Sequence, residues 1–258
     1  MSSFLYFNDN TGLTKKTHLE FSDNSRKILE NRYLRKNEKG EVDETPEELL
    51  NRIARTIAEP DRPYHDVQTS EIEFYNLLAE KKFYPNSPTW TGAGTPLGQL
   101  AACFVLPVED DLGKEKDSIF STLRNAALIQ QSGGGNGFSF SRLRSEGSVV
   151  KSSNGVSSGP VGFMKAYDGA FGVIAQGGVR RGANMGVLRA DHPDIRSFIK
   201  CKTEEGNITN FNISVALTDK FLNAVENDET YELVDPHTKE VKETPKAKEI
   251  FNMIVDYA

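Results

Sequence analysis

Two glycine-rich stretches carry the arginines that could do chemistry in this chain. In SGGGNGFSFSRLR, Ser132–Arg144, three consecutive glycines and a fourth, Gly137, precede an alternating apolar run that ends in Arg142 and Arg144. Glycine runs between helix and strand let a ligand's phosphate meet backbone N–H groups. In QGGVRRGAN, Gln176–Asn184, three glycines bracket Arg180 and Arg181. Guanidinium groups in such a loop suit anions, which each can grip bidentately. Neither stretch is a Walker A loop, because no Gly-Lys-Ser/Thr follows. The order helix, glycines, strand is also the reverse of the dinucleotide fingerprint. Taken alone, SGGGNG reads equally as a tight turn and QGGVRRGAN as a solvated surface turn. Two arginine-bearing glycine loops together favour a nucleotide-phosphate site.

The remaining reactive side chains are sparse. Cys103 lies inside the apolar run AACFVLP, where a cysteine ordinarily acts as a small buried hydrophobe. Cys201 has no CxxC partner and is expected to be structural. His18, His65, His192 and His237 are scattered without metal-ligand spacing, so no metal site is expected. His192, before Pro193, reads as a cap or turn residue. Asp110 and Asp111 read as a solvated strand end.

The elements that must position these residues follow from periodicity. Residues 1–44 are polar and read as an extended arm with short elements. Thr45-Pro46-Glu47-Glu48 is a capping box, and the helix it opens should end at Glu59-Pro60. Ser70 is expected to open a second helix, completing a helical region over 1–82. Tyr84 to Gln99 reads as a long loop, and Ala101 to Val108 as a strand buried on both faces. Helices are expected over 118–131 and 160–175, with the strand GFSFSRL between them. A Ser/Gly-rich loop, Ser145 to Gly159, precedes the second helix. Strands are expected at Met185–Ala190 and Asn210–Thr218. A helix capped at Asp191 or His192 lies between those two strands, and DKFLNAVEN follows as another. Alternating strand and helix argue for an α/β class with a largely parallel sheet over 83–258. The last helix, KAKEIFNMIVDYA, stops without a capping glycine, so the chain is expected to be the front part of something longer.

Composition bounds the function. The chain has 258 residues, 37% hydrophobic and 26% charged, with a formal charge of -6. That charge gives no global basic field, so nucleic acid is not an expected partner and any anion site must be local. No apolar run approaches a membrane span, and the N-terminus does not read as a signal peptide. Two cysteines make no disulfide scaffold, and a cytoplasmic protein is the expectation.

Five blocks together resemble the catalytic subunit of ribonucleotide reductases: NSPTWTGAGTPLGQLAACFVLPVEDD, SGGGNGFSFSRLR, SSGPVGFMKAYD, QGGVRRGANMGVLRADHPDI and NFNISVALTD. Their wording is closest to the adenosylcobalamin-dependent branch, class II, and the likeness runs from Phe83 to Ala258. It implies about the first half of a ten-stranded α/β barrel behind a helical N-terminal region. By the same resemblance, Cys103 corresponds to one of two cysteines that reduce the substrate and become a disulfide. Ser87, Ala102, Gly133 and Gly134 lie where the substrate's diphosphate and ribose are held. Ala102 stands where other branches carry serine, so only its backbone N–H could act there. Asp110 corresponds to a contact of the effector's deoxyribose and Arg144 to an effector-phosphate ligand. Ser145–Ser158 would be the first specificity loop. The second, between effector and substrate, would be Gln176–Gly182, with Gln176, Arg180 and Arg181.

The resemblance also implies partners. These are a ribonucleotide substrate, a deoxynucleoside triphosphate effector, a homodimer through helices 118–131 and 160–175, and a thioredoxin-like reductant. The Asn-Pro-Cys-x-Glu pattern of the radical cysteine does not occur in this sequence. That loop, the partner of Cys103 and most adenosylcobalamin contacts are expected in a C-terminal half, without which the chain should be inactive. Two other readings stay open: an inert nucleotide-binding and dimerising module, and the diiron-dependent class I branch.

Overall fold

The computed structural model describes residues 14–16, 19–150, 154–174, 183–204 and 206–258, and divides the chain into two compact units, Met1–Ala102 and Cys103–Ala258. With that division, residues 83–102 belong to the first unit.

The first unit is helical. α1, Asp23–Arg32, is capped by the Ser22 side chain, so the polar stretch before residue 44 holds a full helix within what reads as an arm. α2, Pro46–Ala58, starts at the expected capping box: the Glu48 N–H donates to Thr45 Oγ1, and Glu48 Oε2 accepts from the Thr45 N–H. A short 3-10 turn, Glu59–Asp61, follows. α3, Val67–Ala79, is capped by Asp66 rather than opened by Ser70, which is buried inside the helix. The stretch that reads as a loop contains α4, Ser87–Gly92, because the Asn86 side chain accepts the Thr89 N–H and Pro88 sits in the first turn. Leu49, Leu50, Ile53, Tyr75, Leu78 and Trp90 form the core of this unit.

A charge pair is built into that core. Arg52 Nε and Nη2 donate to Glu44 Oε1 and Oε2 at 2.6 and 2.9 Å, with the two side chains only 7% and 6% exposed. Arg52 Nη1 donates onward to the Ala93 carbonyl at 2.5 Å, which ties α2 to the turn leaving α4.

The second unit is an α/β layer. β1 (Cys103–Leu106), β2 (Gly135–Ser139), β5 (Asn184–Arg189) and β6 (Phe211–Ala216) form a parallel sheet in that order. Between them run α5 (Ile119–Gln131), the small hairpin β3–β4 (Val149–Val150 with Gly155–Val156), α6 (Gly159–Val173) and α7 (Ile195–Lys200). After β6 come α8 (Asp219–Glu226), the hairpin β7–β8 (Leu233–Val234 with Val241–Glu243) and α9 (Ala247–Tyr257). Parallel neighbours joined through helices are the expected arrangement.

The core lies on one side of this sheet. Phe138, Phe140, Leu188 and Phe211 point into a helix-covered layer with Met164, Tyr167 and Phe171. The alternate positions, Cys103, Val105, Ser139, Met185, Asn212 and Ser214, are exposed. β1 therefore corrects the expectation of a strand buried on both faces: Val105 is 87% exposed. Among the described residues, helices cover only one face of β1, and its near-continuous apolar run does not separate that case from two-sided burial. The strand expected as GFSFSRL runs instead over Gly135–Ser139, so Gly135 and Gly137 are inside it. α7 begins at Ile195 after Asp194, not at Asp191 or His192.

Candidate functional site

Cys103 opens β1 with its side chain exposed, and its register partner on β2 is Gly135, which adds no side chain beside the thiol. The glycine turn has a local cause. Gly133 has φ +84, and its N–H donates to the Gln130 carbonyl at 2.9 Å, while the Gly134 N–H reaches the Ile129 carbonyl at 3.0 Å. This is a Schellman ending of α5, with Gly133 as the left-handed residue. A Cβ on Gly134 would come within 2.6 Å of Ile129 Cγ2 and 3.0 Å of Phe104 Cε2. The helix end therefore uses both of these amides. A ligand meeting this turn meets Cα and carbonyl groups.

Ser87 and Ala102 belong to the first unit. Ser87 is the first residue of α4, with its hydroxyl 3.4 Å from the Tyr33 hydroxyl. The Ala102 N–H donates to no acceptor among the described residues, so the group on which a ligand would depend there is unspent.

Asp110 and Arg144 are brought together. Arg144 Nε donates to Asp110 Oδ2 at 2.8 Å and its backbone N–H reaches Oδ1 at 3.3 Å. Arg142 pairs in parallel with Glu109. The two arginines that read as a basic cluster are thus each matched by a carboxylate from the segment after β1. His237, which spacing left unassigned, reaches the same cluster, with Nδ1 3.3 Å from Asp110 Oδ2.

Three residues from distant segments hold the chain around Arg144. Buried His192 places Nε2 2.8 Å from the Leu143 carbonyl, while its Nδ1 accepts the Asp194 N–H. Asp194 Oδ2 accepts the Glu146 N–H at 2.9 Å, and burial pushes its carboxyl above the usual range. Asp235 accepts both the N–H and the hydroxyl of Ser145, and also the amides of His237 and Thr238. No spacing pattern exposes these anchors, since their partners lie 48 to 90 residues away.

Gln176, Arg180 and Arg181 lie outside the described residues. The strand that follows them is tied by side-chain amides. Gln130 Nε2 donates to Asn184 Oδ1 at 2.9 Å, and Asn184 Nδ2 to the Asn210 carbonyl at 3.1 Å.

A family model described as the barrel domain of ribonucleotide reductase matches residues 101–256, and one for the all-alpha domain matches residues 19–98. The chain belongs to the ribonucleotide reductase family. It is 40% identical to a vitamin B12-dependent ribonucleoside-diphosphate reductase of Thermoplasma acidophilum, covering 94% of this chain and 39% of the relative. A protein of the same description from Mycobacterium tuberculosis is 44% identical, over 88% of this chain and 33% of the relative. The large subunit of the Vaccinia virus ribonucleoside-diphosphate reductase is 36% identical over 81% of this chain and 27% of its own length. The reductase chain thus spans well under half of these relatives. Its helical unit followed by a parallel α/β layer agrees with a partial reductase barrel.

Cys201 is buried, and burial pushes its thiol up to about 11, as a structural cysteine requires. Among the described residues, no cluster of His, Cys, Asp and Glu could hold a metal ion, and no helix is long and apolar enough to cross a membrane.

Proposed function

We propose that this chain carries one reducing thiol and the effector-phosphate cluster of a vitamin B12-dependent ribonucleotide reductase, completed by a C-terminal half. The observation that carries the reading is the exposed thiol of Cys103 on the uncovered sheet face, beside a glycine and directly after the unspent Ala102 amide. A thiol that reduces substrate and is then regenerated must be accessible.

In this reading a ribonucleotide loses its 2′-hydroxyl as water and gains two electrons. Cys103 and a second cysteine supply them, together with two protons, and end as a disulfide that an external thioredoxin-like dithiol reduces. Ser87, Ala102, Gly133 and Gly134 meet the substrate. Asp110 and Arg144 hold the effector, joined by Gln176, Arg180 and Arg181. Homodimerisation through α5 and α6 is supported by Phe120, Arg124 and Leu128, an exposed stripe at helical spacing on α5.

The cofactor named for the relatives is vitamin B12, which supplies radical chemistry when bound. In this reading most of its contacts lie in the C-terminal half, and the two histidines of the second unit have other partners. His192 has both ring nitrogens engaged, and His237 lies in the Asp110–Arg144 cluster. The chemistry proposed for this chain is confined to its own thiol and binding residues.

The test is the Cys103→Ser variant in the enzyme assembled with its C-terminal half. Multiple turnover with an external reductant should cease while nucleotide binding persists. Sustained turnover by the variant would remove Cys103 from the mechanism. The chain alone should be inactive. One alternative is the class I branch, which activity independent of adenosylcobalamin would establish.

A further inference from the structure

We propose that His237 is a further ligand of the effector's phosphates, acting beside Arg144. The proposal rests on the effector reading of Asp110 and Arg144 and adds a residue to it.

Charge balance raises the need. Around the segment after β1, Glu109 is paired with Arg142 and Asp110 with Arg144, so two carboxylates meet two guanidinium groups. A polyphosphate brings several negative charges to a cluster that is already neutral, and a further cation must offset them. Asp235, nearby in the chain, offers no positive charge, and its oxygens accept from Ser145, Ser148, His237 and Thr238. Among the described residues beside these two ion pairs, His237 is the group left over. Its imidazole is half exposed, with Nδ1 3.3 Å from the carboxylate oxygen, Asp110 Oδ2, that takes Arg144 Nε at 2.8 Å.

The position of His237 is built rather than incidental. Asp235 Oδ1 accepts the N–H groups of His237 and Thr238, both at 2.9 Å, which shapes the turn between β7 and β8. Asp235 Oδ2 accepts the Ser145 hydroxyl at 2.7 Å, which fastens that turn to the residue after Arg144. One buried carboxylate therefore sets both cations of the site, each through its neighbouring backbone. Arg144 keeps part of its donor fork for a ligand: Nε serves Asp110 and Nη1 reaches the Val149 carbonyl at 3.2 Å.

The experiment is calorimetric titration of this chain with each of the four common deoxynucleoside triphosphates, and NMR titration with the matching deoxynucleosides. His237→Ala, His237→Arg and Arg144→Ala are compared with the unaltered chain. His237→Ala should weaken triphosphate binding about five- to tenfold, the scale of one charge-assisted contact, and leave deoxynucleoside binding unchanged. His237→Arg should restore triphosphate affinity to within about twofold, since it returns a cation to the same place. Melting temperatures report whether each variant folds. If Arg144→Ala loses affinity and His237→Ala does not, the inference is overturned and the effector reading stands. Should Arg144→Ala bind as the unaltered chain does, or the unaltered chain bind no triphosphate, the effector reading falls and the inference with it. Equal loss of triphosphate and deoxynucleoside binding in His237→Ala would make the residue a support of the turn and overturn its role as ligand.

Discussion

Asp235 Oδ2 holds Ser145, 90 residues earlier in the chain, by its hydroxyl at 2.7 Å and its backbone N–H at 3.2 Å. Burial alone would raise the Asp235 carboxyl, but hydrogen bonds from Thr238, Ser145 and His237 outweigh it and hold the group well below the usual carboxylate range. A depressed folded-state pKa contributes stability that is fully present above the unfolded value, near pH 4, and is lost as pH falls below it. Asp235→Asn should therefore cost about 3 kcal/mol at neutral pH and flatten the acid limb of the stability curve. Denaturant unfolding between pH 3 and 7 checks both. Asp194, which burial pushes the other way, contributes with the opposite sign, so the comparison must be made variant by variant.

Two left-handed glycines should respond differently to alanine. Gly159 has φ +64, and a Cβ there would come within 2.8 Å of the Glu146 backbone nitrogen and 2.7 Å of Asp194 Oδ2, the two partners of a hydrogen bond. Gly133 has φ +84 and open space around the missing Cβ. Gly133→Ala should cost only about 1–2 kcal/mol of backbone strain, whereas Gly159→Ala should exceed that and loosen the segment carrying Arg144. Thermal unfolding gives the ranking, and an equal cost at both sites would contradict it.

The Glu44–Arg52 pair should behave as a buried ion pair. Removing one partner, in Arg52→Met or Glu44→Gln, should cost about 3–5 kcal/mol by stranding the other charge. Replacing both should cost less than the sum of the two single changes. A double-mutant cycle in urea measures that coupling, and strict additivity would mean that the charges do not depend on each other.

Thiol labelling should separate the two cysteines. In the native chain Cys103 should react with a maleimide while Cys201, buried and with its thiol pushed up to about 11, stays protected. In denaturant both should react. Mass spectrometry of labelled peptides reads the result, and native labelling of Cys201 would contradict the packing around it.

Local signals made some elements legible. The capping box at Thr45 located α2, and the stretch MGVLRA located β5 to within a residue. α4 was obscured by its Pro, Thr and Gly content, although Asn86 ahead of Pro88 is a helix-start signal. The apolar stretch at β1 concealed which face is covered, since covering depends on elements elsewhere in the chain. At the site, Asp110 and Arg144 were assigned roles one at a time, while their mutual ion pair was hidden by 34 residues of intervening chain. The anchors Asp194 and Asp235 were hidden for the same reason.

The Schellman ending at Gly133 and Gly134 has a consequence for how a nucleotide would lie. A helix gathers partial negative charge at its C-terminal end. The close of α5 is therefore a poor neighbour for a diphosphate and a good one for groups that donate protons into hydrogen bonds. A ribose ring offers such donors in its hydroxyls. In the proposed reading, the turn that separates α5 from β2 would give the nucleotide a polarity: the sugar toward the glycines, and the phosphates away from them.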